Sequence, residues 1–320
     1  MTAHGQSPKV SVIIPTYNYA HFLPEAIQSV LAQTFQDFEL FVVDDGSTDN
    51  TREVVAGFGR RVNYIYQKNK GYSAARNAGI RLSQGEVVAF LDADDTWLPE
   101  KLEVQVAYLD SHPEVGIVYS HFLVVDRDGN VLPQPERTHY SGMIFERLLL
   151  GNFIGMPTVA VRRECFAGIG PFDESLRTTA DWELWLRLTR KNRVGYMDQP
   201  LARYRLHGSS MHRNIANKER DCFAILDKVF SDPELPRGAI EKKAHAYSNV
   251  HALLGWQYYA SCQMRLARKH FFEAIRLHPY HLFDPKLMFA MGKSFLGARL
   301  VRRLRQWKKK ALAPLISEAL

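Results

Sequence analysis

The chain has 320 residues, 46% of them hydrophobic and 23% charged, with a formal net charge of +7. These numbers suit a water-soluble globular protein with one large domain and an appendage, or two ordinary domains. Nine basic residues and no acidic one lie between Lys286 and Ser317, so the rest of the chain is slightly acidic, which disfavours an enzyme with a basic catalytic face for nucleic acid.

The leading MTAHGQSPKV has neither a basic leader nor an apolar stretch, so no secretory signal is expected. No window approaches the roughly 18 apolar residues that a spanning helix needs. Cys165, Cys222 and Cys262 are odd in number and far apart, which suits a reducing, cytoplasmic setting. His278 and His281 flank a Pro-Tyr turn with no cysteine nearby, and no zinc site is expected there.

KVSVIIPTYN runs apolar up to Pro15 and predicts a buried parallel strand. Residues 22–33 place Leu23, Ala26, Ile27, Val30 and Leu31 at helical spacing. FELFVVDDGSTDNT repeats strand and polar loop over 38–51, Thr51 to Phe58 predicts a helix, and VNYIYQ at 62–67 a third strand. GYSAARNAGIRLSQG predicts a helix closed by Gly85, and EVVAFLDADD a fourth strand. Strand alternating with helix at this interval predicts a doubly wound α/β sheet. Ligands of such sheets lie beyond the carboxyl ends of the strands. There Pro15-Thr16-Tyr17-Asn18, Asp44-Asp45-Gly46-Ser47 and Asp92-Ala93-Asp94-Asp95 would converge. Neither GxGxxG nor GxxxxGK[ST] follows the first strand, so a dinucleotide fold and a P-loop lack their phosphate cradle.

Beyond residue 103 the alternation weakens. GIVYSHFLVVD at 116–126 predicts two short strands or one bent strand, IFERLLLGN a helix, PTVAVRRECF a strand, and 181–191 a further helix. The last third is helical. Leu254, Gly255, Tyr258, Ala267, Phe271, Ala274 and Pro279 fall on the positions of one tetratricopeptide unit, with His251 in place of its tryptophan. One unit cannot bury both faces, so a helical hairpin docked on the preceding domain is expected. In LGARLVRRLRQWKKKAL, Leu300, Leu304, Trp307 and Ala311 share a face bordered by Arg302, Arg303, Arg305, Lys309 and Lys310. That pattern suits a helix on an anionic membrane surface, or a solvated terminal helix.

FLDADDTWLPEKL, residues 90–102, carries the chemistry. Neighbouring carboxylates repel by about 1 kcal/mol in water and about 4 kcal/mol in a partly protein-like dielectric, so a positive partner is expected. Asp92 and Asp94 suit a hard divalent cation, Mg²⁺ or Mn²⁺, completed by substrate phosphate and water. A polar loop that caps a helix explains the pair as well. Pro99 and Glu100 predict a helix start, and Asp95 is expected to cap a helix. In DWELWLRLTRK, Glu183 and Arg187 form an i,i+4 pair on an outward stripe. Asp181, at the helix start, is expected to point inward, as a cap or as the group that takes a proton from an incoming hydroxyl. Trp182 and Trp185 read as core, or as the wall of an acceptor pocket.

KVSVIIPTYNYAHFLPEAIQSVLAQTFQDFELFVVDDGSTDNT, NKGYSAARNAGIRLSQGEVVAFLDADD, DWELWLRL and YRLHGSSM together resemble the nucleotide-sugar-dependent glycosyltransferases of family 2, from about Pro8 to Met211. The resemblance implies the GT-A fold, a Rossmann-like, mostly parallel sheet flanked by helices, over 8–215. A helical hairpin region at 216–283 and a basic helical tail at 284–320 would follow it. The resemblance further implies inverting transfer from a nucleotide sugar, UDP-linked, to a hydroxyl of a glycan or lipid-linked acceptor. The setting would be cell-surface polysaccharide synthesis at the inner face of the cell membrane.

By position, Asp92 and Asp94 are the DxD motif, with Asp94 on the metal of the diphosphate and Asp92 near the ribose or the metal's water shell. Asp45 would accept from the uracil ring, Pro15 and Tyr17 would line the base pocket, and Arg76 would approach the nucleotide. His207 would contact phosphate or metal, and Asp181 would be the general base. Ala180 stands where the family usually has a glutamate. A nucleotidyltransferase would need a glycine-rich basic loop where PTYNYAHF stands, and a degenerate, non-catalytic scaffold would not keep Asp45, Asp92, Asp94 and Asp181.

Overall fold

A computed structural model describes residues 7–134, 139–207 and 214–296. The first apolar run forms β1 (Val10–Thr16), buried at every position. α1 (Leu23–Leu31) follows, with Pro24 in its first turn, where a missing N–H costs nothing, and with Leu23, Ala26, Ile27 and Val30 buried. Next come β2 (Phe38–Asp44), α2 (Thr51–Ala56), β3 (Asn63–Tyr66), α3 (Tyr72–Leu82) and β4 (Val87–Phe90). β5 (Thr96–Trp97), α4 (Lys101–Ser111), β6 (Val115–Val125), α5 (Phe145–Leu148), β7 (Ala160–Arg162), α6 (Ala180–Thr189) and β8 (Arg193–Arg205) complete this part of the chain.

The strands make one sheet in the order β3-β2-β1-β4-β7-β6-β8-β5. β3, β2, β1 and β4 run parallel, with β2, β3 and β4 each reached through a helix, so the carboxyl ends of β1, β2 and β4 share one edge. Beyond β4 the sheet is mixed: β7 is antiparallel to β4 and β6, β8 is parallel to β6, and β5 is antiparallel to β8. The segment that could be two strands or one is a single strand, β6, whose pairing with β8 breaks register around Ser120–Phe122. Ile14, Leu40, Leu91, Leu102 and Leu109 belong to one buried cluster under this sheet. Burying each contributes about 1.5–3 kcal/mol relative to exposure.

Two details aim the polar loops. Gly46 has φ +84, and a Cβ there would meet the Asn69 backbone nitrogen at 2.9 Å, so only glycine lets the DDGS loop turn against the loop after β3. α4 starts at Lys101, and its entry is held by Gln33, which donates to Leu98 O at 2.8 Å and accepts from Leu102 N at 2.9 Å.

The chain divides into two units, Met1–Leu148 with Asn152–Arg213, and Leu149–Gly151 with Asn214–Leu320. The second contains α7 (Ile215–Phe230), α8 (Arg237–Glu241), α9 (Lys243–Ala260), α10 (Met264–Leu277) and α11 (Pro285–Ser294). α9 and α10 pack against each other, with Leu254, Ala267, Phe271 and Ala274 fully buried. A Cβ on Gly255 would lie 2.5 Å from the Phe271 ring, so the bare backbone of α9 is what admits that ring. The proposed tail helix, with Leu300, Leu304, Trp307 and Ala311, lies outside the described residues.

Candidate active site

The acid cluster sits just past β4. Leu91 N–H still bonds Ile13 O at 3.1 Å, and Asp95 N–H bonds Asp92 O at 3.0 Å, so residues 92–95 form a tight turn at the ligand edge of the sheet. Asp92 pairs with Arg76, which projects from α3. The Arg76 guanidinium is buried and stacked 4.7 Å from the Tyr72 ring and 5.4 Å from the Phe172 ring, which fixes its aim. Ala74, Ala75 and Ala78 on the same helix are buried as well.

Asp94 faces the end of β8, where His207 Nε2 lies 2.8 Å from its Oδ2. The imidazole is braced by Phe22 at 4.8 Å and by the edge of Tyr19 at 5.7 Å between ring centroids. Burial, and then the charge of Asp92, push the Asp94 carboxyl above the usual range, against the pull of His207.

Asp95 does not cap a helix. β5 and a turn separate it from α4, and its Oδ1 accepts from Arg205 N–H at 2.8 Å, tying the acid turn to β8. Arg205 also donates to Asp94 O at 2.9 Å, Arg127 O at 2.7 Å and Glu25 Oε2 at 2.6 Å. Burial and the charges of Asp94 and Asp92 hold the Asp95 carboxyl well above its ordinary value. Its job is to lock the turn that presents its two neighbours.

On the β1 and β2 side, Pro15 is buried and Tyr17 is exposed. Asp45 is 2% exposed and its oxygens already accept from Gln67 Nε2 at 2.7 Å, Lys70 N–H at 2.9 Å and Gly71 N–H at 2.7 Å. It therefore shapes the loop that leads into α3. Two of these donors fall on Oδ1 and one on Oδ2, which keeps acceptor capacity on Oδ2.

α6 delivers Asp181. The residue before the helix is Thr179, with no side-chain cap, so Asp181 lies in the first turn, where the helix dipole favours a carboxylate, without capping it. Its Oδ2 accepts from Asn152 Nδ2 at 2.9 Å. The outward assignment of Glu183 on this helix does not hold. Glu183 is 3% exposed, whereas Asp181 is half-buried. The cause is Arg187, which pairs with Glu183 at 2.7 Å and also donates to the carbonyls of Ile169, Gly170 and Pro171, so an irregular segment covers the stripe that looked outward. Trp182 and Trp185 are core; the Trp182 indole donates to Leu148 O at 2.8 Å.

Tyr204, on β8, opens the YRLHGSSM motif but has no role in the sequence reading. Burial first, then the negative charges of Asp95, Asp92, Asp94 and Asp181, push its phenol far above the usual value. One side chain thus feels both the acid turn and Asp181, which places the two within electrostatic reach of a common point.

The donor set fits a hard divalent cation. Asp92 and Asp94 are adjacent like charges in a half-buried turn, and each engages one oxygen with Arg76 or His207 while carrying a second. Among the described residues no group of three or more His, Cys, Asp or Glu side chains forms a ready cage. Mg²⁺ and Mn²⁺ do not require one when a diphosphate and water complete the shell.

The sequence profile of Glycosyl transferase family 2 matches residues 11–169. Uncharacterized glycosyltransferases of Rickettsia felis and Rickettsia conorii are 34% and 35% identical over 72% and 63% of this chain, which spans only about a third of their length (38% and 33%). The Escherichia coli UDP-Glc:alpha-D-GlcNAc-diphosphoundecaprenol beta-1,3-glucosyltransferase WfgD is 32% identical over 70% of this chain and 87% of its own. Among solved structures, Staphylococcus aureus TarS 1–349 in complex with UDP-GlcNAc superposes with a TM-score of 0.61 at 21% identity, over 94% of this chain and 92% of that one. The mannosyltransferase PcManGT from Pyrobaculum calidifontis, in complex with GDP-Man and Mn²⁺, gives a TM-score of 0.61 at 18% identity, over 92% and 87%. The fold is that of the GT-A glycosyltransferases.

Proposed function

The chain belongs to glycosyl transferase family 2, and on that premise we infer that it transfers a sugar, with inversion, from a UDP-linked donor to a hydroxyl of a glycan or lipid-linked acceptor in cell-surface polysaccharide synthesis. The observation that carries this reading is the acid turn past β4, with Asp92 paired to Arg76 and Asp94 2.8 Å from His207, together with Asp181 delivered by the first turn of α6 and held by Asn152 at 2.9 Å. Transfer needs opposed functions around one sugar, diphosphate charge handled on one side and a proton removed on the other.

Asp94 and Asp92 would hold the divalent metal, Mn²⁺ or Mg²⁺. When bound, the ion supplies positive charge to the departing diphosphate. Arg76 holds Asp92 in place, and His207 orients Asp94 toward the diphosphate. Asp45, Pro15 and Tyr17 form the uracil end, with Asp45 Oδ2 accepting from the ring. Asp181 takes the acceptor hydroxyl proton, steadied by Asn152, and the alkoxide-like oxygen attacks in line with the breaking bond. Support for UDP and for a lipid-linked acceptor comes from the activity for which WfgD is named and the ligand of TarS, and support for a metal from the Mn²⁺ of PcManGT.

Among the described residues no helix is long and apolar enough to cross a membrane. The basic tail would bring the protein to an anionic inner membrane face as a peripheral protein. A thermal-shift screen of nucleotide sugars with Mn²⁺, followed by nucleoside diphosphate release with the stabilising donor, tests the assignment. A donor set without UDP sugars among the hits refutes the UDP reading.

A further inference from the structure

α11 is apolar on both faces. Its inner side buries Leu287, Ala290 and Ser294 against α9 and α10. Its outer side carries Phe289, 64% exposed, and the helix runs straight into Phe295, 69% exposed. The short 3₁₀ turn before it, Pro279–Phe283, adds Tyr280 at 70% and Phe283 at 81%. Four large aromatic side chains this exposed in about sixteen residues exceed the scattered apolar surface that a soluble monomer normally shows. The element is well anchored, because Asp284 caps the start of α11 by accepting from the N–H groups of Lys286 and Leu287 at 2.9 and 3.1 Å.

The cations beside these rings are placed by the fold. Lys293 Nζ lies 4.1 Å from the Phe289 ring centroid, and the Arg268 guanidinium carbon lies 4.8 Å from that of Phe295 while its NH1 donates to Ser294 O. Aromatic rings interleaved with ammonium and guanidinium groups are what a helix needs to lie in the headgroup region of an anionic bilayer.

We propose that the outer face of α11 and the turn before it, Tyr280, Phe283, Phe289 and Phe295, dock on an anionic lipid surface. Charge selects this occupant over two others. The segment that continues from this face, residues 297–320, carries seven basic residues and one acidic one, so folding it over Lys286, Lys293 and Arg268 sets like charge on like. A second copy of the same face meets the same repulsion. An anionic bilayer satisfies the rings and the cations at once. This surface extends the reading of the tail as a membrane contact; it stands on the rings at 280–295 and not on the Leu300, Leu304, Trp307 and Ala311 face, so each face can fail without the other.

The full chain, a Phe283→Ser/Phe289→Ser/Phe295→Ser variant and a chain truncated after Leu296 are compared by co-sedimentation with phosphatidylcholine vesicles with and without half phosphatidylglycerol. The expected result is binding by the full chain only with phosphatidylglycerol, at least tenfold weaker in the triple variant at unchanged melting temperature, and retained in part by the truncated chain. Binding by the triple variant equal to that of the full chain overturns the proposal. So does stronger binding after truncation, which would mean that residues 297–320 cover the face. Light scattering that shows a dimer dissociated by the triple substitution would assign the face to a second copy and overturn it as well.

Discussion

Asn152 Nδ2 donates to Asp181 Oδ2 at 2.9 Å. The helix position before Asp181 is Ala180, whose side chain offers no polar atom, and a group that steadies this carboxylate comes from a loop nearly thirty residues earlier in the chain.

Replacing Asn152 by alanine removes a hydrogen bond to a charged acceptor, an interaction of about 1.5–3 kcal/mol. If it mainly orients Asp181, kcat falls by about tenfold to a hundredfold while KM for the donor stays within twofold. Asn152→Asp sets two carboxylates together and should be slower still. Steady-state kinetics with separate donor and acceptor titrations check both.

Arg187 is the counterion of the buried Glu183 and the donor to three backbone carbonyls. Arg187→Leu strands a buried carboxylate and is expected to destabilise the protein by about 3 kcal/mol or more. Denaturant melts should show a lower midpoint, and Glu183→Gln in the same background should restore part of the loss.

Gly255→Ala in α9 would ordinarily stabilise a helix by about 1 kcal/mol. Here the added methyl meets the Phe271 ring at 2.5 Å, inside any real contact. The sign therefore reverses, with an expected loss of about 1–3 kcal/mol from overpacking. Thermal melts of the single variant and of Gly255→Ala/Phe271→Leu separate the clash from the helix effect.

The second unit should loosen in acid. Burial, and then His270, lower the His251 imidazole to about 4, and burial lowers His270 in spite of Glu219, whose Oε1 stands 3.4 Å from its Nε2. Burial also lowers His245 and His281. Each of these groups is harder to protonate folded than unfolded, where an imidazole titrates near 6.5. Above that pH both states are neutral and nothing is gained or lost. As pH falls below about 6.5 toward 4, the unfolded chain takes up protons that the folded one resists, so stability drops. Melting temperatures from pH 8 to 4.5 should decline most below 6.5, and His251→Phe should flatten part of that decline.

The leading half of the sheet was legible because buried parallel strands read as unbroken apolar runs, as in Val10–Thr16 and Phe38–Asp44. β5 spans two residues and carries no period, so the element that separates Asp95 from α4 left no trace in the sequence, and Asp95 looked like a cap. The helical wheel of α6 misplaced Glu183 because a wheel knows nothing of the irregular Ile169–Pro171 segment that covers it. Asp94 and His207 stood in separate motifs, and only the fold brings them together across 113 residues. Asn152 belongs to no motif, and Tyr204, though it opens YRLHGSSM, carried no assigned role. Their positions depend on a loop and on the far end of β8, where local pattern holds no information about what is opposite.

The central claim is that Asp181 removes the acceptor proton while the Asp92–Asp94 turn handles the diphosphate. Sugar transfer by Asp181→Asn, measured beside its donor affinity, tests it most directly. The account predicts turnover lower by about 10²- to 10⁴-fold, with nucleotide-sugar binding in the presence of Mn²⁺ within threefold of the unaltered protein. Unchanged turnover in Asp181→Asn, with donor still bound, would contradict it.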